Sequence, residues 1–240
     1  MVFALVGGAL LLTGCGSGAD GTETDAEQGE NDPLAAGPES GTEEGPAADL
    51  TRAVNEAMSG TTFRAEGPST AFEGGEQEMW SDPEVGVRIL VNAPDITDGE
   101  VFCQDGVVYT GVPLFAAQLK ASGEEFDVPG DTLDRYISVQ AGGDCRSLYE
   151  IYPGAELDPE RDTTVDGTPA TALVARSTAG EDVYLAASEG EPYLLRMEAD
   201  YVDGGGTTVY DSFGDTVDIN MPPEESVMSM EEFRNLIQPG

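Results

Sequence analysis

The sequence predicts an α+β domain, in which a strongly curved antiparallel sheet carries helices inserted between its two halves and packed on its concave face. Three observations predict it. Several segments alternate apolar and polar side chains with a period of two. Glycine-containing turn signals separate those segments at hairpin spacing. A central stretch lacks the alternation and reads as short helices.

The elements follow in chain order. Asp49 is placed to cap a first helix, Leu50 to Met58, whose Leu50, Val54, Ala57 and Met58 share one face before Gly60 ends it. The stretch TTFRAEG then sets Phe63 and Ala65 on one side and Arg64 and Glu66 on the other. VGVRILVN groups Val85, Val87, Ile89 and Val91. In the middle, Leu114 to Ala121 and Leu133 to Gln140 read as short helices, with a further turn near Cys145 to Tyr149. PYLLRMEADYV aligns Tyr193, Leu195, Met197, Ala199 and Tyr201 against Arg196, Glu198 and Asp200, and a last helix is expected over Met230 to Ile237. The turns are expected at Glu73-Gly74-Gly75, Gln104-Asp105-Gly106, Asp166-Gly167, Ala179-Gly180, Glu189-Gly190 and Gly204-Gly205-Gly206. Patterning of this kind means strands with one buried face.

Charge narrows the setting. Lys and Arg total 10 against 47 Asp and Glu, for a net charge of −37, with no histidine. Nucleic acid is excluded as a partner, because phosphates repel such a surface. Adhesion to anionic lipid by charge alone is excluded for the same reason. All 10 basic residues and 38 of the acidic ones fall in 49–240, so the expected domain is itself strongly acidic. Such a surface suits a chain that stays hydrated at high salt, and a halophilic or halotolerant source is expected. Residues 16–48 hold nine acidic residues, no basic ones, seven glycines, three prolines and one large apolar side chain, Leu34. That composition cannot offset its ordering entropy by burial, so a disordered acidic tether is expected there.

The first twelve residues, MVFALVGGALLL, are apolar over about the length of a signal-peptide core and too short to span a bilayer as a helix. Leu12-Thr13-Gly14-Cys15 follows and resembles the bacterial lipobox. The resemblance implies that residues 1–15 are a signal peptide with lipobox, that the Cys15 sulfur receives a diacylglycerol, and that Cys15 becomes the first residue after cleavage. A thiolate is the nucleophile such alkylation needs. No Lys or Arg precedes the run, and an upstream start codon would supply the missing charged region. The expected location is the extracytoplasmic face of the cell membrane, with covalent acyl chains (palmitate among them) as the anchor.

Near the C-terminus a second resemblance emerges. Asp166 to Ala170 (Asp-Gly-Thr-Pro-Ala), Val183 to Ala186 (Val-Tyr-Leu-Ala), Gly190 to Tyr193 with Leu195-Arg196, Ser212 to Gly214 and Pro222-Pro223 stand in one order. That order is similar to the closing strands of the LolA/LppX-LprG-type lipoproteins of actinobacteria. AVNEAMSGTTFRAEG and GEVFCQDGVVYTGVP resemble the family's first helix and strand and its central hairpin, so the resemblance covers most of 49–227. It implies a LolA-like domain over 49–240, a half-open β-barrel curved around helices, with an apolar cavity that holds acyl chains in several members. No motif fixes the cavity lining. The patterning alone nominates Phe63, Val87, Ile89, Leu185, Leu195 and Met197, which either line a ligand cavity or fill a packed core.

Two cysteines remain, Cys103 and Cys145. In an exported chain whose third cysteine is lipidated, an even pair reads as a disulfide. There is no Cys-x-x-Cys and no histidine to complete a metal set, so neither a metal nor a cofactor is expected. Catalysis fails by inventory. Without histidine there is no imidazole base or relay, and Lys120, the single lysine, follows Ala117-Gln118-Leu119 rather than a Ser-x-x-Lys pattern. No helix is expected after the Gly204 triplet to cradle a phosphate. The acidic runs at Asp95–Glu100 and Asp158–Asp162 lack the spacing of a calcium loop and read as solvated loops. A non-enzymatic lipoprotein is expected. It either carries a lipid or acyl chain in an apolar cavity or acts as an accessory surface protein through contacts with another envelope protein.

Overall fold

The computed structural model describes residues 44–69, 72, 74–94, 96–123, 127–201 and 204–237. The expected signal peptide with Cys15, and the tether up to residue 43, lie outside the described residues.

Helix α1 (Pro46–Ser59) opens the domain. It starts inside the span read as tether: Gly45, with φ 127°, is the cap and Pro46 takes the first helical position, where its missing N–H costs nothing. Asp49 is therefore not the cap; it lies in the first turn, 2.9 Å from Arg52. Five strands follow: β1 (Phe63–Pro68), β2 (Glu76–Asp82), β3 (Gly86–Ala93), β4 (Ile96–Gln104) and β5 (Val107–Gly111). After them come α2 (Val112–Ala121), β6 (Tyr136–Gln140), a 3₁₀ turn at Cys145–Leu148 and β7 (Glu156–Leu157). The closing half is β8 (Thr163–Val165), β9 (Thr168–Arg176), β10 (Gly180–Ala187), β11 (Leu194–Tyr201) and β12 (Gly204–Asp211), then β13 (Val227–Ser229) and α3 (Met230–Ile237).

The strands form one curved, open sheet in the order β13-β6-β5-β4-β3-β2-β1-β12-β11-β10-β9-β7, with β8 also on β9. The sheet is antiparallel except where β13 joins β6 in parallel. It is an α+β half-barrel. The two hairpin dipeptides expected from sequence turn tightly: Asp105-Gly106 has φ 51° and 75°, and Asp166-Gly167 has 47° and 89°, the paired positive values of a type I′ turn.

Two expectations are corrected. Leu133 to Gln140 is not a helix. Its Tyr136-Ile137-Ser138-Val139-Gln140 core is β6, held on both sides by β5 and β13, and its aromatic and β-branched side chains suit a pleated surface. The Gly204 triplet is not a turn but the start of β12. A Cβ at Gly205 would lie 2.2 Å from the Ala199 carbonyl oxygen, and one at Gly206 2.2 Å from Pro68, so close strand approach explains these glycines.

Burial follows the two sheet faces. On the concave face, Val54 and Met58 of α1 pack with Phe63, Ala65, Met79, Val87, Leu173, Tyr184 and Tyr210. Leu114 of α2 covers Val91 and Ile96, while Phe233 of α3 joins Phe115, Ile137 and Met228. On the opposite face of β9 and β10, Val165 of β8 closes over Ala172, Val174, Val183 and Leu185. Arg161 lies 2.6 Å from Glu181 and secures that crossing. Cys103 of β4 and Cys145 are joined in a disulfide, with Cα atoms 5.7 Å apart. The bond ties the segment after β6 to the sheet.

Candidate functional site

Of the six residues nominated from patterning, four are brought together and two are not. Phe63 is fully buried, its ring 5.0 Å from Tyr149 and 6.0 Å from Tyr210. Val87 is buried in the same cluster, and Ile89 and Met197 pack at its margin. Leu185 and Leu195 belong instead to the cluster on the opposite face. Leu185 alternates regularly with Tyr184 and Ala186, which take the concave side of β10; for Leu195 the cause is a β-bulge. Leu185 pairs with Arg196 and Ala186 with Leu194, so Leu195 is the extra residue and the alternation slips by one. The apolar doublet Leu194-Leu195 is the signal in the sequence that could have found it.

A polar group that pattern reading missed lies on the concave side. Asp182 of β10 is buried, with 7% of its surface exposed. The Tyr201 hydroxyl donates to its Oδ2 at 2.5 Å, whereas Oδ1 is without a partner among the described residues. Burial pushes the Tyr184, Tyr201 and Tyr210 hydroxyls well above the ordinary phenol range, and the Asp182 charge pushes in the same direction.

The outer face of β1–β4 holds a saturated charge network. Arg64 is shared among Glu66, Glu78 and Asp211. The Arg88 guanidinium lies 5.2 Å from the Trp80 ring centroid and donates to Glu100 at 2.6 Å, and Glu100 also accepts from the Tyr136 hydroxyl at 2.5 Å. These groups satisfy one another. Asp158, from the second acidic run, is held by Arg161 at 3.5 Å and Arg176 at 3.4 Å.

Grooves open at the surface among the described residues. One, of about 690 Å³, runs between α1 and the Pro153–Leu157 segment. Ala47, Ala48, Thr51, Ala155 and Leu157 line it, with Arg52 and Arg146 among its charged residues. Thr51 is 7% exposed, and its buried Oγ1 is without a hydrogen-bond partner among the described residues. Another groove, of about 520 Å³, lies over β1, β2 and β12 beside Glu66, Glu76 and Asp211. Neither groove has any of the six nominated residues in its wall.

No protein-family model and no curated protein matches the chain. Solved structures similar to it include an uncharacterized conserved protein from Thermus thermophilus, 13% identical over 76% of this chain and 98% of that one, with a TM-score of 0.48. The lipoprotein LppX from Mycobacterium tuberculosis is 11% identical over 72% of this chain and 98% of its own, with a TM-score of 0.46. LprF from Mycobacterium bovis is 13% identical over 73% and 96%, with a TM-score of 0.39. A lipoprotein of the type that the strand-turn order resembles is thus among the structural neighbours of this chain.

Proposed function

We propose that this chain is a membrane-anchored extracytoplasmic lipoprotein that carries a hydrophobic ligand, a lipid or acyl chain, and catalyses no reaction. The observation that carries the reading is the roof of the half-barrel. The sheet does not close, and its apolar concave face is covered by α1, which buries Thr51, Val54 and Met58, and by the segment that buries Tyr149, Ile151 and Ala155. Moving α1 and the Tyr149–Ala155 segment outward together would uncover Phe63, Met79, Val87 and Tyr210 as an apolar floor. Each acyl methylene buried there is worth about 0.8 kcal/mol. The helix follows directly on the residues read as tether, with the lipobox cysteine, Cys15, beyond them. Support for a non-catalytic role is the absence of histidine and the engagement of Arg64 and Arg88 by carboxylates.

Anchoring and cargo are tested separately. The chain should partition with membranes, and Cys15→Ser should release it in folded form. Native mass spectrometry of the released protein from its own host should show an added lipid-sized mass that organic extraction removes. Met197→Lys, at the margin of the concave cluster, should abolish that mass, and Leu195→Lys, on the other face, should keep it. A bare protein mass together with no uptake of a fluorescent fatty acid would replace the carrier reading with an accessory role.

A further inference from the structure

The sheet ends at β7, and that end carries unused hydrogen-bonding capacity. Glu156 and Leu157 pair with Val174 and Leu173 of β9, and the Asp158 N–H donates to the Ala172 carbonyl at 3.0 Å. Backbone groups alternate sides along a strand. Asp158 and Glu156 therefore face β9, and Leu157 turns its N–H and C=O away from it. Among the described residues no strand pairs with that outer edge. The β7 segment forms one wall of the groove of about 690 Å³, and α1 forms the other.

The rest of the groove fits an extended chain. Ala47, Ala48 and Ala155 leave room for side chains. Its charge selects the sign of the occupant. Glu44, Glu56 and Glu156 line it, while its two arginines, Arg52 and Arg146, are already held by Asp49 at 2.9 Å and Asp144 at 2.5 Å. With Arg176 3.7 Å from Glu156, five carboxylates thus stand against three guanidinium groups. Residues 16–43 of this chain carry eight acidic residues and no basic one, so like charge disfavours them as the occupant. An acyl chain would leave the Leu157 edge without partners.

We propose that this groove docks an extended, basic segment of a partner protein, which adds a strand to β7 and seats small apolar side chains against α1. The groove shares α1, Ala47 and Ala155 with the concave cluster, but none of its wall residues is among those proposed to receive a lipid.

The test uses the full chain with Cys15→Ser and a fluorescein-labelled octapeptide of alternating lysine and valine. Saturable polarisation is expected. Binding should be weaker by about tenfold or more for the glutamate–valine counterpart and for a backbone-N-methylated lysine–valine peptide. Leu157→Pro removes the outward N–H while leaving the bonds to β9, and Ala48→Trp fills the groove; each should weaken binding by a similar factor. Should either variant melt early, the N-methylated peptide on the otherwise unaltered protein decides the same point. Binding indifferent to N-methylation and to Leu157→Pro is adhesion to an acidic surface and overturns the proposal. Absence of saturable binding overturns it, as does displacement of the peptide by palmitate taken up in its place, which assigns the groove to an acyl chain.

Discussion

Asn55 and Ile151, 96 residues apart in sequence, form a reciprocal pair: the Asn55 amide donates to the Ile151 carbonyl at 2.9 Å and accepts from the Ile151 N–H at 2.8 Å. A side chain thereby completes the backbone bonding of a buried residue that belongs to no strand. The pair fastens α1 to the chain just before the groove wall, and it couples the helix that roofs the concave face to the segment that the disulfide anchors.

Asn55→Leu should strand both Ile151 backbone groups and cost about 2–3 kcal/mol. Asn55→Asp keeps the acceptor, loses the donor, and should cost about half as much. Thermal melting checks both, with losses of roughly 5–10 °C expected for Asn55→Leu. Equal melting of Asn55→Leu and the parent would mean that the pair holds nothing.

Removing the Cys103–Cys145 bond opens a loop of 42 residues. On the chain-entropy account that costs about 3–4 kcal/mol, or roughly 10 °C of melting temperature in a domain of this size. The Cys103→Ser/Cys145→Ser protein should also exchange amide hydrogens faster over 145–155 than over β9–β11. Uniform acceleration would mean that the bond stabilises only globally.

What the sequence disclosed and what it withheld divide along physical lines. The pattern at Phe63–Glu66 and Val87–Val91 was legible because each strand has one face buried by α1 or α2. The span of α3 was legible because Phe233 and Ile237 pack against the third cluster while its outer face is polar. The pairing of the cysteines was legible from their even number. The position of Leu195 was legible only through the apolar doublet Leu194-Leu195, because a bulge is a property of two strands and it is pairing with β10 that leaves Leu195 without an opposite residue. The strand at Tyr136 was misread because five residues between loops carry too little periodicity, and a parallel partner 91 residues away, Val227, leaves no local trace. The groove was invisible for the same reason: α1 and β7 meet only in the fold.

Alkaline pH should destabilise the domain more than exposed tyrosines would. The folded protein holds the protons of Tyr184, Tyr201 and Tyr210 more tightly than the unfolded chain, where a phenol titrates near pH 10. A raised folded value contributes stability that is complete below the unfolded value and is lost as pH climbs above it. Melting temperature should therefore stay level to about pH 9 and fall beyond about pH 10. Phenolate absorbance should show these three tyrosines ionising together with unfolding. Ionisation of all of them while the fold persists would contradict the burial of this cluster.

Added salt should stabilise the domain, and the arrangement of its charges says why. Residues 49–240 hold 38 carboxylates against 10 basic groups, a net charge of −28. Several of the ion pairs are short, among them Arg88 to Glu100 at 2.6 Å and Arg161 to Glu181 at 2.6 Å. Screening reaches down to only about 3 Å even at 1 M salt, against about 10 Å at 0.1 M. The pairs consequently keep most of their attraction while the longer-range repulsion among unpaired carboxylates is removed. Melting temperature should rise by several degrees between low salt and about 1 M sodium chloride and level off there. Arg64→Gln isolates the effect, because it leaves Glu66, Glu78 and Asp211 facing one another around an uncharged side chain. Its cost should be about 1–2 kcal/mol at low salt and shrink by half or more at about 1 M. A cost that does not change with salt would mean that Arg64 acts through the packing of its stem rather than by neutralising those three carboxylates.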